Sequence, residues 1–420
     1  MDKNLLICGD NLSALDDLVK KGIKVDLIYL DPPFFSNKHY EEIWGDEAEV
    51  RSFKDRWEGG INVYIEWMKE RVLKMYDVLK DTGSFYLHCD WHAGHHLKLM
   101  LDEVFGSHNF RNEVIWDYTF RMMDLPNFFN RKHDTIFFYA KTANSYFKMP
   151  KDRWTREEVI ANRKQKVYID EDGDECIWMP GGKGHSKNKL KKIKDIIKEG
   201  KAISDVWQIP IISSSAKERL GYPTQKPEAL LERIIKASSK EGDLILDPVC
   251  GCGTTVAVAQ RLKRRWIGID ISPTATKVMQ SRLEKFTGVI KGKDYEVIGM
   301  PTTLNALRAL EPFEFQNWVI NEMKAKQSKK LSSDFGLDGY YDKTIFTDRA
   351  GIQVKQSESV GRNVVDNFET ALKRAKYEKG YVVAFSFSKG AHEEAARIKK
   401  EGLDVRLVEV DDLLHGKFKV

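Results

Sequence analysis

Asp31-Pro32-Pro33-Phe34 closes the apolar run Val25 to Leu30, and its residue types suit chemistry on an amine whose lone pair is delocalised into a ring. Such an amine is a poor nucleophile until its NH2 protons are held by acceptors and its electron density can reach an electrophilic methyl carbon. The Asp31 carboxylate and the Pro32 carbonyl can accept one proton each, while the two prolines stiffen the loop and remove competing donors. Phe34 and Phe35 add stacking faces for a base drawn out of its helix, an extrusion that costs about a few kcal/mol. Asp-Pro alone is also an ordinary turn signal, so these four residues need a partner motif.

The partner is Asp247-Pro248-Val249-Cys250-Gly251-Cys252-Gly253-Thr254-Thr255, between the strand-like Asp243 to Leu246 and a helix-like stretch from Val256 to Leu262. Gly251 and Gly253 allow positive φ and close backbone approach to a ligand. The spacing departs from G-x-G-x-x-G, which argues against a pyrophosphate ligand and suits one with no phosphate, such as S-adenosylmethionine. Trp266 to Asp270 then reads as a strand ending in an acid about twenty residues past the glycines, where such folds hold ribose hydroxyls.

Together these motifs resemble the circularly permuted, beta-class DNA amino-methyltransferases of restriction-modification systems. The resemblance spans residues 1 to 290 and keeps the family's order, with Asp31 to Phe34 first, then Thr224-Gln225-Lys226-Pro227, the glycine loop and Asp270. It implies that Asp31 and Pro32 contact the target amine, that Phe34 stacks on the base, and that Gly251, Gly253 and Asp270 hold the methyl donor. Gly9-Asp10 is similar to the element that reads the cofactor adenine, and Lys226-Pro227 to the element beside the cofactor. Asp247 and Thr254 belong to the same cofactor-side set. Val249 stands where the family usually has Phe, which keeps an apolar wall but loses ring area. The resemblance favours adenine N6 over cytosine N4, although both amines offer the same two protons.

These loops need a sheet to position them. Strand-like runs at 25–31, 84–89, 112–116, 134–140, 243–247 and 266–269 alternate with helical segments, which predicts an α/β, doubly wound, mostly parallel Rossmann-like sheet. Helical stripes run from Tyr64 to Leu79 and from Leu97 to Phe105, and Pro227 opens another helix. Between Lys141 and Gly221 the alternation fails around Pro180-Gly181-Gly182, so 141–221 is expected to be an inserted target-recognition region. From Lys183 to Lys201 eight lysines face two acids, an excess of six positive charges able to neutralise phosphates, though a lysine run is often only a solvated face. His88, His92, His95 and His96 could ligate a metal, but amino-methylation needs none, and the segment reads better as a strand end lining the pocket.

A linker is expected at 291–311, followed by a smaller α/β domain over 312–420. There Glu314, Asp338-Gly339 and the strand Gly351-Ile352-Gln353-Val354-Lys355 have the layout of a metal-dependent phosphodiesterase core. Asp338 and Gln353 would hold Mg2+ and Lys355 would orient the nucleophile or balance charge. The stretch resembles the Mrr-like branch of the restriction-endonuclease fold.

The remaining composition sets bounds. The chain has 420 residues, 42% of them hydrophobic, and a net charge of only +5, too small to announce a polyanion partner by itself. Five cysteines form neither C-x-x-C pairs nor a disulfide framework, and no apolar run of about 18 residues occurs, so a cytoplasmic enzyme without membrane insertion is expected. The expected partner is double-stranded DNA, and a homodimer is left open. Three classes compete: a DNA amino-methyltransferase with a nuclease-like module, a nuclease whose methyltransferase half is a cofactor-gated sensor, and a non-catalytic DNA-binding or assembly protein.

Overall fold

Parallel strands buried on both faces form the frame of the first three-quarters of the chain. The computed structural model describes residues 3–35, 59–118, 124, 127–179, 188–222, 224–328, 337–342 and 349–418. Nine strands form one sheet: β1 (Asn4–Cys8), β2 (Val25–Leu30), β3 (Leu79–Cys89), β4 (Phe110–Asp117), β5 (His133–Ala140), β6 (Val206–Gln208), β7 (Leu244–Asp247), β8 (Arg265–Asp270) and β9 (Tyr295–Ile298). Their order is β6-β4-β5-β3-β2-β7-β8-β1-β9. All neighbours are parallel except β5, which runs antiparallel to both β3 and β4. The central strands are nearly continuous apolar runs because helices cover both faces.

One layer contains α1 (Asn11–Lys20), α2 (Ile61–Val78) and α3 (Gly94–Phe105), whose buried Leu15, Met68, Val72 and Leu101 join Ile28 and Leu246 in one cluster. The opposite layer contains α4 (Glu228–Ser238), α5 (Thr254–Arg261) and α6 (Pro273–Thr287), packed through Leu230, Ile234, Val258 and Met279 onto Tyr29, Ile245 and Trp266. Helix α6 starts where Ser272 accepts a hydrogen bond from the Ala275 amide and Pro273 presets the first turn. The predicted helices at 64–79, 97–105 and after Pro227 are present, and the doubly wound α/β frame is the one expected.

Two boundaries differ from expectation. Strand β6 lies inside the segment assigned to the insertion, yet it pairs with β4 at the edge of the main sheet. Strand β9 lies inside the segment assigned to the linker, yet it pairs with β1, and Tyr295 is fully buried against Trp266. Both strands are too short for their periodicity to stand out from loop sequence.

The insertion itself carries a three-stranded antiparallel sheet of Tyr168–Ile169, Glu175–Met179 and Lys189–Lys192, backed by helices Arg156–Arg163 and Ile193–Glu199. Ile177, Val159, Ile193 and Ile196 form its own small core. Pro180-Gly181-Gly182, Lys183 and Lys187 lie outside the described residues. Several of the other lysines are already paired: Lys192 sits 3.2, 2.6 and 2.8 Å from Asp170, Asp172 and Asp174, Lys194 pairs with Asp174, and Lys191 with Glu199. The local positive excess is therefore smaller than counted, because the Asp170 to Asp174 turn lies upstream of the lysine run and folds back onto it.

The last part of the chain forms a second sheet, β10 (Lys326–Gln327), β11 (Gly339–Tyr341), β12 (Ala350–Val354), β13 (Lys379–Ala384) and β14 (Asp404–Glu409), in that order. It is antiparallel at its first two junctions and parallel from β12 to β14. Helix α7 (Pro312–Glu322) packs on one face, and α8 (Arg362–Ala375) with α9 (Lys389–Lys400) on the other. Helix α7 also meets α6: Lys277 pairs with Glu322, and the Asn321 amide donates to the Thr274 hydroxyl at 2.8 Å. Among the described residues no helix is long and apolar enough to cross a membrane.

Gly299 ends β9 at φ +79°, and a Cβ there would stand 2.0 Å from the Cys8 carbonyl oxygen. Gly299→Ala is expected to destabilise the nine-stranded unit by about 2 kcal/mol through a strained φ and a backbone clash. An unchanged urea midpoint for this unit would show that β9 does not seat on β1 in this way.

Candidate active site

Adjacent parallel strands point their carboxyl ends the same way, so the loops that follow β2 and β7 open side by side. Between them is a cleft of about 280 Å³. Asp31 to Phe34 and Lys226 line it with Gly9 to Asn11, Asp247 to Cys252, Thr254, Asp270 and Ile271. Gly253, Phe35, Pro227 and the histidines of the 88–96 segment, all expected at the pocket, are absent from the wall, and Gly253 turns the chain into α5 from just behind it.

The Asp31 loop is held by its neighbours. Lys226 Nζ approaches the two Asp31 carboxylate oxygens at 2.7 and 3.0 Å and lies 5.1 Å from the Phe34 ring centre. Lys226 thus sits on the proposed base side as well as beside the cofactor motif. Pro32 is buried, and the Tyr64 hydroxyl donates to the Pro33 carbonyl at 2.7 Å. Phe35 has φ +60°, a left-handed conformation costly for a ring-bearing residue. The Phe34 ring packs against His88, centres 5.5 Å apart.

The glycine loop is equally constrained. Gly251 (φ +49°) donates its amide to Asp270 Oδ2 at 2.7 Å, and Ser272 donates to Oδ1 at 2.9 Å. Gly253 (φ +76°) leaves no room for a side chain, since a Cβ would meet Met279 Cγ at 2.5 Å. The buried Arg282 guanidinium ties the loop down by donating to the Cys252 carbonyl at 3.3 Å, the Thr254 hydroxyl at 2.9 Å and Glu228 at 2.8 Å. Because Glu228 follows Pro227, one buried cation links the Lys226 segment to the glycine loop. At the other end, Asp10 caps α1 and pairs with Arg71, which also donates to Asn11 at 2.8 Å.

Charge in this cleft is lopsided. Burial pushes the Asp247 carboxyl up to about 7, with Asp31 and Asp270 adding repulsion, and burial pushes Asp270 up to about 6 against two backbone donors. From the second sheet, Glu314 on α7 faces Ser272 and Asp270, and burial pushes it up to about 7. Carboxyls that hold protons near neutrality for want of a cation suit a positively charged ligand. The free space beside Gly251, the apolar Val249 and Ile271, and the Gly9 to Asn11 turn fit a nucleoside-sized one.

Sequence reasoning missed Tyr29, Asn11, Arg71, Asp134 and Arg282, and it did not single out His88 within its cluster. One signal was present. Pairing of Leu30 with Leu87 sets the register that brings Asp31 abreast of His88, a histidine at the end of an otherwise apolar strand.

In the second sheet, Asp338 Oδ2 accepts from the Val354 amide at 2.7 Å, tying the acid to the strand that carries Gln353 and Lys355. Burial raises the Asp338 carboxyl, opposed by that amide and by the nearby Lys355 charge. Gln353 is buried and Lys355 half-buried. Asp338 and Lys355 are therefore brought near each other, Asp338 tied to the strand that carries Gln353.

The DNA methylase family matches residues 25–281, and the restriction endonuclease family matches residues 307–415. Type II methyltransferase M.HpaI of Haemophilus parainfluenzae is 28% identical over 348 residues, covering 80% of this chain and 95% of its own. Type II methyltransferase M2.DpnII of Streptococcus pneumoniae is 30% identical over 293 residues, 67% of this chain and 90% of its own. DNA adenine methyltransferase YhdJ of Escherichia coli is 27% identical over 282 residues, 66% and 82%.

The pH dependence of the ligand-free protein tests the electrostatics. A carboxyl whose folded value is raised stabilises the fold fully below its unfolded value, and that contribution is lost as pH rises through the folded value. For Asp247 the window runs from pH 3.8 to about 7. The melting-temperature difference between wild type and Asp247→Asn should therefore shift against wild type as pH rises from 5 to 8. A difference constant across that range would mean that Asp247 is not a buried, proton-holding group.

Proposed function

Because the chain belongs to the DNA methylase family and carries a restriction endonuclease domain behind it, we propose that it methylates the exocyclic amine of a flipped DNA base, adenine N6, using S-adenosylmethionine. The observation that carries this reading is the single cleft in which the Asp31-Pro32 acceptors meet the Gly251 loop and Asp270. The adenine choice rests on Asp-Pro-Pro-Phe and on the adenine specificity named for the E. coli relative.

The residues divide the work by position. Asp31 and the Pro32 carbonyl accept the two amine protons and so aim the nitrogen lone pair. Phe34, backed by His88, stacks on the base and offsets part of its extrusion. Gly251 and the Gly9 to Asn11 turn bind the donor, Asp270 holds its ribose, and Asp247 and Asp270 meet its positive charge. When bound, S-adenosylmethionine supplies an electrophilic sulfonium methyl. The walls keep bulk water from the reacting atoms and fix their line of approach, from which much of the acceleration comes. No covalent protein nucleophile is required.

The insertion is the proposed reader of DNA sequence. Its small sheet turns Tyr168, Trp178 and Leu190 outward, away from the Ile177 core, where aromatic faces and nearby lysines suit a nucleic-acid surface. For the second domain we propose metal-dependent phosphodiester cleavage at Asp338, Gln353 and Lys355. One carboxylate and one amide oxygen form a hard donor set that suits Mg2+, which commonly keeps water and phosphate as further ligands. Lys355 would balance charge on the phosphate.

Asp31→Ala should abolish methyl incorporation from labelled donor into DNA while leaving donor affinity within about twofold, since the residue acts on the amine. Equal loss of both would refute the assignment. Sequencing DNA from a methylation-free host expressing the chain identifies base and site, and N4-methylcytosine there would overturn the adenine choice. Separately, Asp338→Ala and Lys355→Ala should each remove Mg2+-dependent cleavage by the intact chain. Cleavage surviving both would place the nuclease centre elsewhere.

A further inference from the structure

Amine methylation leaves a proton to dispose of, and beside Asp31 lies a buried polar chain that leads out of the cleft. His88 is wholly buried, with Nδ1 3.8 Å from Asp31 Oδ1 and 2.8 Å from the Tyr29 hydroxyl. Its Nε2 lies 3.1 Å from Asp134 Oδ2. Asp134 in turn accepts from the Tyr118 hydroxyl at 3.4 Å, and its side chain is 15% exposed, outside the walls of the cleft. Trp116 packs edge-on against the imidazole at 5.5 Å, and the Phe34 ring lies tilted at 5.5 Å from it.

The partners fix the protonation pattern. Burial and the charges of Asp31, Asp247 and Asp134 push the Tyr29 hydroxyl well above its ordinary value, so Tyr29 donates to Nδ1. His88 Nε2–H then donates to Asp134. Burial works against ionised Asp134, but the His88 hydrogen bond, with Lys226 and Tyr118, holds it below the usual carboxylate range. The charged and titratable groups facing the imidazole are thus Tyr29 from β2, Asp31 just after it, Asp134 from β5, Tyr118 just after β4 and Lys226 across Asp31.

We propose that His88 and Asp134 form a relay that takes the surplus amine proton from Asp31 and delivers it to solvent, with His88 acting as a positioning residue for the Asp31 carboxylate. The inference rests on the amine-methylation reading. As the nitrogen lone pair forms the N–C bond, the C–S pair leaves with sulfur and the nitrogen becomes a cation with one proton too many. That proton passes to Asp31; the Tyr29 hydroxyl turns away from Nδ1, Asp31 passes the proton to the lone pair so freed, and Nε2 releases its own proton to Asp134 and then to water. The balance closes with the carboxylate restored and no redox partner. The 3.8 Å step is longer than a hydrogen bond, as is common at catalytic contacts before substrate binds.

Single-turnover methylation by the intact chain, on a duplex containing its mapped site, tests the relay with Asp134→Asn and His88→Gln. Each variant should slow transfer at least about tenfold, alter the pH–rate profile and enlarge the solvent deuterium isotope effect. Affinities for S-adenosylmethionine and for the duplex should stay within about twofold. A merely structural role would lower affinity or melting temperature and leave the profile and isotope effect as in wild type. That outcome, or a rate unchanged in Asp134→Asn, overturns the proposal. Asp134→Asn keeps side-chain size at a partly exposed position, so it carries the test if His88→Gln fails to fold. If both fail, the pair is structural and the relay falls. If wild type itself methylates no amine, the underlying reading falls, a result distinct from an active wild type with equally fast variants.

Discussion

The hydrogen bonds that pair β2 with β7 in parallel, with Leu27 beside Ile245 and Ile28 beside Leu246, fix where every functional group can stand. They bring together segments more than two hundred residues apart in sequence, and they do so with strands that are apolar on both faces because helices cover each side. With that register set, Asp31 and Pro248 leave the sheet on the same edge. The two loops then have a common wall, and the chemistry at each depends on the other.

Crowding carboxylates is the cost of this arrangement. Asp31, Asp134, Asp247 and Asp270 share one end of the sheet, and the structure separates them by task. Asp31 and Asp134 have cationic or imidazole partners, Lys226 and His88. Asp247, with the Thr255 side chain and the Val249 amide, and Asp270, with two backbone amides, have no cationic partner and retain protons near neutrality. A cation entering the second group meets charge that its own arrival helps to create. Glu314 brings a further carboxyl from the endonuclease-like domain to the same loop, so the two halves of the chain share an electrostatic environment through the Asp270 to Ser272 turn.

What sequence revealed follows from what is local. Asp31 to Phe34 and the Gly251 loop announce themselves because their backbone demands, prolines and positive-φ glycines, are written in consecutive residues. Long amphipathic helices such as α2 and α4 were equally legible. Strands β6 and β9, with three and four residues, were not, since pairing rather than composition makes them strands. His88, Asp134 and Tyr29 come from three different strands, and only the registers that align Leu30 with Leu87 and Cys89 with Thr135 turn them into one chain. The lysine run was misjudged for a related reason, because its acidic partners fold in from outside the window.

That last pairing changes what the insertion requires of its surroundings. Asp170, Asp172 and Asp174 converge as closely as the ligands of a bound divalent ion, and the Lys192 ammonium fills their centre. A cation tethered by the chain itself cannot diffuse away or be stripped by a chelator. The insertion thus carries its own counter-charge, and the hairpin and the turn before it are closed on each other by side chains of the same small unit.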